Sequence, residues 1–171
     1  MKYYIVIPSY NEEALIALTL QSLISQTVLP SKIVVVNDNS TDKTADIVLD
    51  FAKENPYISL VNKTSETIHL PGSKVIQAFQ KGFETLDENY DLIVKLDADL
   101  IFPANYFETI IKHFQSDSKI GMAGGFCYIE KNGDWVLENL TDKDHIRGAL
   151  KAYRKDCFKE IGGLKPAMGW D

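Results

Sequence analysis

The chain predicts an α/β fold in which a mostly parallel sheet is covered by helices on both faces, and three observations carry that expectation. Short β-branched runs alternate with segments of helical periodicity three or four times before a mixed tail. The runs at 32–36 and 92–96 are nearly continuous rather than alternating, as strands buried on both faces are. Two carboxylates, Asp97 and Asp99, stand at the carboxyl end of the second of these runs, the side of an open α/β sheet where ligands bind.

Residues 2–7 (Lys-Tyr-Tyr-Ile-Val-Ile) are aromatic and β-branched and predict the first strand, closed by a turn at Pro8-Ser9-Tyr10-Asn11. Ile16, Leu20, Leu23, Ile24 and Val28 then recur at helical spacing, with Glu12 and Glu13 expected in the first turn, where the macrodipole favours anions. Pro30 and Ser31 end this helix. Residues 32–36 (Lys-Ile-Val-Val-Val) form the second strand. The polar cluster 37–42 opens a helix with Ala45, Val48, Leu49 and Ala52 inward, and Ser40 or Thr41 is its expected N-cap. Residues 57–61 read as a shorter third strand, followed by a polar loop from 62 to 71.

Val75, Phe79, Gly82, Phe83 and Leu86 give an amphipathic helix over 72–86. Lys74 falls in its first turn, the wrong end for a cation, and is either an exposed lysine or one drawn there by an anion. The strand from Leu92 follows, and then a helix with Phe107, Ile110, Ile111 and Phe114 on its buried stripe. Residues 120–129 look strand-like, with Gly121, Gly124 and Gly125 marking a bulge or a close backbone approach. Lys131-Asn132-Gly133-Asp134 signals a hairpin turn, with residues 135–137 pairing back. A last strand begins within 147–150, a helix covers 154–161, and Gly162-Gly163 ends it in left-handed conformation.

The chain has 171 residues, enough for one domain and too few for two ordinary ones. Hydrophobic residues make up 45% and charged residues 25%, a globular composition. A net charge of -6 argues against nucleic acid as a partner. No apolar stretch reaches the roughly 18 residues of a membrane span, and the N-terminus enters a strand without a signal sequence. Cys127 and Cys157 lack metal spacing and read as reduced thiols of a cytoplasmic protein.

The chemistry concentrates at Asp97 and Asp99. Adjacent carboxylates repel, and a hard divalent cation with oxygen ligands, Mg²⁺ or Mn²⁺, removes that cost while keeping positions for water and phosphate. The other reading is a pair of aspartates that only end a strand and cap a turn. Asp38, at the carboxyl end of the second strand, either contacts a base or ribose or belongs to its turn. A second Asp-x-Asp, Asp142 and Asp144, follows a polar run and reads as a solvated loop.

Ile7-Pro8-Ser9-Tyr10-Asn11-Glu12, Val36-Asn37-Asp38-Asn39-Ser40-Thr41-Asp42, Leu96-Asp97-Ala98-Asp99 and Gly162-Gly163-Leu164 with Trp170-Asp171 agree in order and spacing with one family. Together they resemble the inverting family 2 glycosyltransferases of GT-A fold. The resemblance implies a three-layer, Rossmann-like GT-A fold with a mixed, mostly parallel sheet, forming one catalytic domain over 1–171. Residues 1–99 would be its nucleotide-binding half and 100–171 its acceptor-side half. Members of the family continue beyond the position of Asp171, which implies a chain cut short on the acceptor side.

By the same resemblance, Pro8, Tyr10, Asn11 and Glu12 would line the nucleotide pocket and Asp38 would hydrogen-bond the base. Lys74 would approach the nucleotide or diphosphate. Asp97 would contact the sugar or ribose, Asp99 would hold Mn²⁺ or Mg²⁺ against the diphosphate, and Asp171 would be the general base. Asn37 and Asn39 stand where Asp and Gly are common, Lys74 where Arg is frequent, and Trp170 where a Glu precedes the base. The implied reaction moves a sugar from a nucleotide-diphosphate donor, UDP-sugars being the commonest, to a hydroxyl of a glycan or lipid-linked acceptor. That suits polysaccharide or cell-envelope synthesis by a cytoplasmic enzyme that reaches the membrane peripherally.

Two other classes compete. Phosphatases that form an aspartyl-phosphate also end a strand in Asp-x-Asp, but near the N-terminus, whereas here the motif lies more than halfway along. A nucleotide-sugar-binding domain without activity is the non-enzymatic alternative.

Overall fold

The computed structural model describes residues 1–64, 73–138 and 145–165, excepting the side chain of Ser73. Its main sheet has six strands: β1 (Tyr3–Ser9), β2 (Lys32–Asp38), β3 (Ile58–Lys63), β4 (Leu92–Leu96), β5 (Met122–Ala123) and β8 (Leu150–Arg154). Their order is β3-β2-β1-β4-β8-β5. The first four are mutually parallel, and β8 pairs antiparallel with both β4 and β5. The sheet is mixed and mostly parallel, as the sequence predicts.

Alternation along the strands splits the core into two layers. On one face α1 (Ile16–Ile24), α2 (Thr44–Glu54) and α4 (Tyr106–Ser116) cover Tyr3, Ile5, Ile7, Ile33, Val35, Leu92, Val94 and Leu96. On the other, α3 (Ser73–Phe83) and α5 (Lys155–Glu160) cover Tyr4, Val6, Val34, Val36, Ile93 and Tyr153. The α3 helix settles onto the sheet at Gly82, where an added Cβ would stand 2.6 Å from Val36 Cγ2 and 2.7 Å from Val6 Cγ1. Bulk at that position would lift the helix.

Several local expectations are corrected. The first helix starts at Ile16, so Glu12 and Glu13 lie before it; the Glu12 carbonyl accepts from the Leu15 and Ile16 amides in a lead-in turn. Neither Ser40 nor Thr41 caps α2, whose first residue is Thr44; Asp42 Oδ1 accepts from the Thr44 amide at 3.0 Å instead. Leu49 is 47% exposed, and Ile47 and Phe51 join Val48 inside, because the helix packs on the sheet through the 44, 47, 48 and 51 positions. Within 120–129 only two residues belong to the main sheet before the chain leaves to form β6 (Tyr128–Lys131) and β7 (Asp134–Leu137). This hairpin turns through Asn132 and Gly133, at φ of 55° and 87°. Gly124 marks a close approach, but to protein rather than ligand: a Cβ there would meet Ile146 Cγ2 at 2.5 Å and the Leu150 carbonyl at 2.6 Å.

Candidate functional site

The chain builds β1, β2 and β3 outward in one direction and then returns to place β4 on the other side of β1. Ligands of open α/β sheets bind where the order reverses in this way. The β1–β2 ladder runs to Ser9 and Asn37, whereas the β1–β4 ladder stops at Val6 and Lys95. The carboxyl ends of β1 and β4 therefore part, and residues 10–13, 37–44 and 97–99 emerge around the opening.

Two of these loops are sewn together through side chains. Asn11, at φ 55°, accepts from the Thr41 amide through Oδ1 at 2.8 Å and donates its own amide to Ser40 Oγ at 3.0 Å. The Glu12 amide donates to Thr44 Oγ1 at 2.8 Å and the Glu13 amide to Asp42 Oδ2 at 3.0 Å, while the Lys43 amide donates back to Glu13 Oε2 at 2.9 Å. Asn37 Oδ1 takes the Ser40 amide at 3.0 Å. The polar cluster 37–42 is thus the mortar between two loops.

Asp38 and Pro8 fall on the α3 face by strand alternation. The Asp38 carboxylate pairs with Lys63 Nζ at 3.3 Å, both side chains nearly buried at 10% and 13% exposure. Lys63 stands opposite Asp38 in the β2–β3 ladder. The sequence reading missed it, because residues 62–71 read as loop and the third strand instead runs on to Lys63. Lys74 sits half-buried in the first turn of α3, on the same face and at the same end of the sheet. Tyr10 stands out into solvent, 60% exposed. The Ser9 hydroxyl, buried at the end of β1, has no hydrogen-bond partner among the described residues.

β4 ends at Leu96, and Asp97-Ala98-Asp99 form a turn whose middle residue is buried. From below, Thr19 of α1, fully buried, donates its hydroxyl to the Ala98 carbonyl at 2.7 Å. From the side, Lys95 Nζ donates to Asp97 Oδ1 at 2.6 Å and to the Gly148 carbonyl at 2.9 Å. The Asp97 amide donates to the Ala149 carbonyl at 2.9 Å. Asp97 keeps 40% of its side chain exposed and Asp99 is exposed. Neither Thr19 nor Lys95 was singled out from the sequence, since each sits inside an otherwise apolar stripe.

The turn's charge reaches across the opening. Burial, and then the charges of Asp99, Asp97 and Asp42, raise the Glu12 carboxyl above the ordinary carboxylate range. The loop after β1 and the turn after β4 thus both carry carboxylates at this end of the sheet, and each can serve as an oxygen ligand of a cation. Among the described residues no group of three His, Cys, Asp or Glu is arranged to hold a metal ion. The arrangement fits an open site, in which Mg²⁺ or Mn²⁺ takes one or two carboxylates and completes its shell with water and phosphate oxygens. Asp171, the expected base, lies outside the described residues, as do Asp142 and Asp144.

A mixed, mostly parallel sheet with an order reversal, an acidic turn after β4 and a second carboxylate at the end of β2 has the architecture of a GT-A α/β domain. The match to known proteins is more specific: the model of glycosyl transferase family 2 matches residues 4–162. The chain belongs to that family, and the phosphatase reading falls away. It is 30% identical over 180 residues to an uncharacterized glycosyltransferase of Mycoplasma genitalium, covering 97% of this chain and 57% of that protein. The mannosyltransferase PcManGT of Pyrobaculum calidifontis, solved in complex with GDP-Man and Mn²⁺, superposes with a TM-score of 0.75 at 21% identity, over 99% of this chain and 49% of that one. TarS 1-349 of Staphylococcus aureus, solved with UDP-GlcNAc, gives a TM-score of 0.66 at 20% identity, over 96% and 49%. The chain thus spans about half the length of the proteins it matches. Among the described residues no helix is long and apolar enough to cross a membrane.

Proposed function

We propose that this chain is the catalytic domain of a glycosyltransferase that moves a sugar from a nucleoside-diphosphate donor to an acceptor hydroxyl with inversion and with a divalent metal. The observation that carries the proposal is the acidic turn Asp97–Asp99 held at the sheet's order reversal in a family 2 chain. The complexes of PcManGT with GDP-Man and Mn²⁺ and of TarS with UDP-GlcNAc support a nucleotide-sugar donor and leave the base to experiment.

In this reading residues 1–99 form the nucleotide-binding half and residues 100–171 the acceptor-side half. Pro8, Tyr10, Asn11 and Glu12 line the nucleotide pocket, with the loop-to-loop bonds fixing their backbone. Asp38 accepts from the base, and Lys74 faces the nucleotide from the start of α3. Asp97 holds the ribose or sugar. Asp99 is the ligand of Mn²⁺ or Mg²⁺, which when bound supplies positive charge to the departing diphosphate. The acceptor hydroxyl of a glycan or lipid-linked sugar attacks the anomeric carbon in line as the bond to the diphosphate breaks. Asp171 takes the hydroxyl proton.

The test is release of nucleoside diphosphate from a panel of nucleotide sugars, with Mn²⁺ and glycan or lipid-linked acceptors present. One donor is expected to turn over, and Asp99→Ala is expected to slow it by about 10²-fold or more, as loss of an electrostatic stabiliser does. Asp171→Asn is expected to bind the donor and fail to transfer. Normal transfer by Asp171→Asn contradicts the base assignment. A folded wild type that consumes no donor contradicts the proposal as a whole.

A further inference from the structure

A lysine inside a central strand is the least expected residue of this fold. Lys95 is the fourth residue of β4, 2% exposed, and stands in register with Val6 of β1 on one side and Lys151 of β8 on the other. Lys151 is itself buried, at 7% exposure. Antiparallel partners share a face, so two buried lysine side chains leave the sheet from adjacent positions on the α3 and α5 face. Burying a cation costs several kcal/mol unless it is paired and hydrogen-bonded. A strand that needed only packing at this position would carry a Val or Ile, as its neighbours do.

The position of Nζ accounts for the lysine. It reaches along the strand to Asp97 Oδ1 at 2.6 Å and across to the Gly148 carbonyl at 2.9 Å. With the Asp97 amide bonded to the Ala149 carbonyl at 2.9 Å, it fastens the end of β4 to the segment leading into β8. One oxygen of Asp97 is thereby engaged from inside the protein, and the carboxylate, still 40% exposed, is presented outward in a fixed rotamer. Without Lys95 the Asp97 carboxylate would lose the ammonium that holds its Oδ1 at 2.6 Å.

We infer that Lys95 is a positioning residue for the donor site: it touches no substrate, and it acts by orienting the Asp97 carboxylate toward the nucleotide sugar and by locking the 148–149 segment beside it. The inference rests on the donor-site reading above. Residues that orient a ligating carboxylate from behind typically carry 10- to 100-fold in affinity or activity.

The experiment is calorimetric titration of a panel of nucleoside diphosphates with Mn²⁺ into wild type, Lys95→Met, Asp97→Asn and the double variant. Lys95→Met keeps the chain's length and removes the ammonium; Lys95→Gln, which keeps N–H donors, is the second variant, and circular dichroism confirms folding of each. For the nucleotide that wild type binds, Lys95→Met is expected to weaken binding about tenfold or more. In the Asp97→Asn background the same substitution is expected to change little, because its target is already gone. Wild-type affinity in folded Lys95→Met overturns the positioning role while leaving the donor site intact, as does a greater loss in Lys95→Gln than in Lys95→Met. An equal loss in both Asp97 backgrounds also overturns it, since a merely structural lysine gives that result. Absence of nucleotide binding by wild type overturns the donor-site reading and this inference with it.

Discussion

Glu12 shows what the site costs the protein that carries it. The folded state holds its proton more tightly than the unfolded chain, because burial and the charges of Asp99, Asp97 and Asp42 oppose its ionisation. Its contribution to stability is therefore greatest below the ordinary carboxylate range and is lost as pH rises through the raised folded value. Glu12→Gln removes the charge and keeps the shape. It is expected to raise the melting temperature of the metal-free protein at pH 7, and the gain is expected to shrink as pH falls below the ordinary carboxylate value, toward about pH 3, where Glu12 is protonated in both states; a scan of both proteins against pH checks this. Thr19 gives a second prediction at this scale. Its hydroxyl is the hydrogen-bond donor to the buried Ala98 carbonyl, so Thr19→Val is expected to destabilise by about 1–3 kcal/mol in urea unfolding, the cost of an unsatisfied buried acceptor. The positions of Asp99 and Asp38 at the carboxyl ends of β4 and β2 were legible in the sequence because each follows an apolar run. Thr19, Lys63 and Lys95 were not, because each earns its place through a partner distant in the chain or through a direction within the strand that spacing alone does not reveal.

Among the elements, α3 and the two sewn loops position the rest. Gly82 lies against the side chains of Val6 and Val36, so Gly82→Ala is expected to cost about 1–3 kcal/mol by overpacking, read as a lower urea midpoint. The gain in helix propensity, about 1 kcal/mol, offsets only part of this. The periods of all four longer helices were readable, as were the hairpin turn at Asn132-Gly133 and the double-glycine cap, with Gly162 and Gly163 at φ of 75° and 76°. Helix starts were less so. The side chains of residues 40–44 serve both their own turn and the loop after β1, and local propensity cannot divide them between the two. Gln26 makes the same point: its Oε1 accepts from the Phe107 amide at 3.1 Å, in the first turn of α4, from a segment 81 residues earlier.

The whole molecule separates stability from function along the sheet. At the amino-terminal edge, Asp87 accepts from Lys32 Nζ at 2.6 Å, the Asn89 amide at 2.8 Å and the Tyr4 hydroxyl at 2.8 Å, and these bonds hold its carboxyl far below the usual range. At the carboxyl edge, Asp97, Asp99 and Asp42 act together with burial to hold the Glu12 carboxyl above the usual range. The architecture was legible from the order of strands and helices alone, since right-handed crossovers leave few arrangements for it. The antiparallel β8 between β4 and β5 was not, because its pairing joins segments more than fifty residues apart. The central claim, a donor site assembled at this edge around Asp99, is tested most directly by thermal stability against a panel of nucleoside diphosphates, with and without Mn²⁺, on wild type and Asp99→Ala. A ligand at about 100 times its dissociation constant stabilises by about 2.7 kcal/mol, a readable shift. The account predicts a shift with one nucleotide that requires both Mn²⁺ and Asp99. A shift of the same size in Asp99→Ala, or none with any nucleotide in the folded wild type, would contradict it.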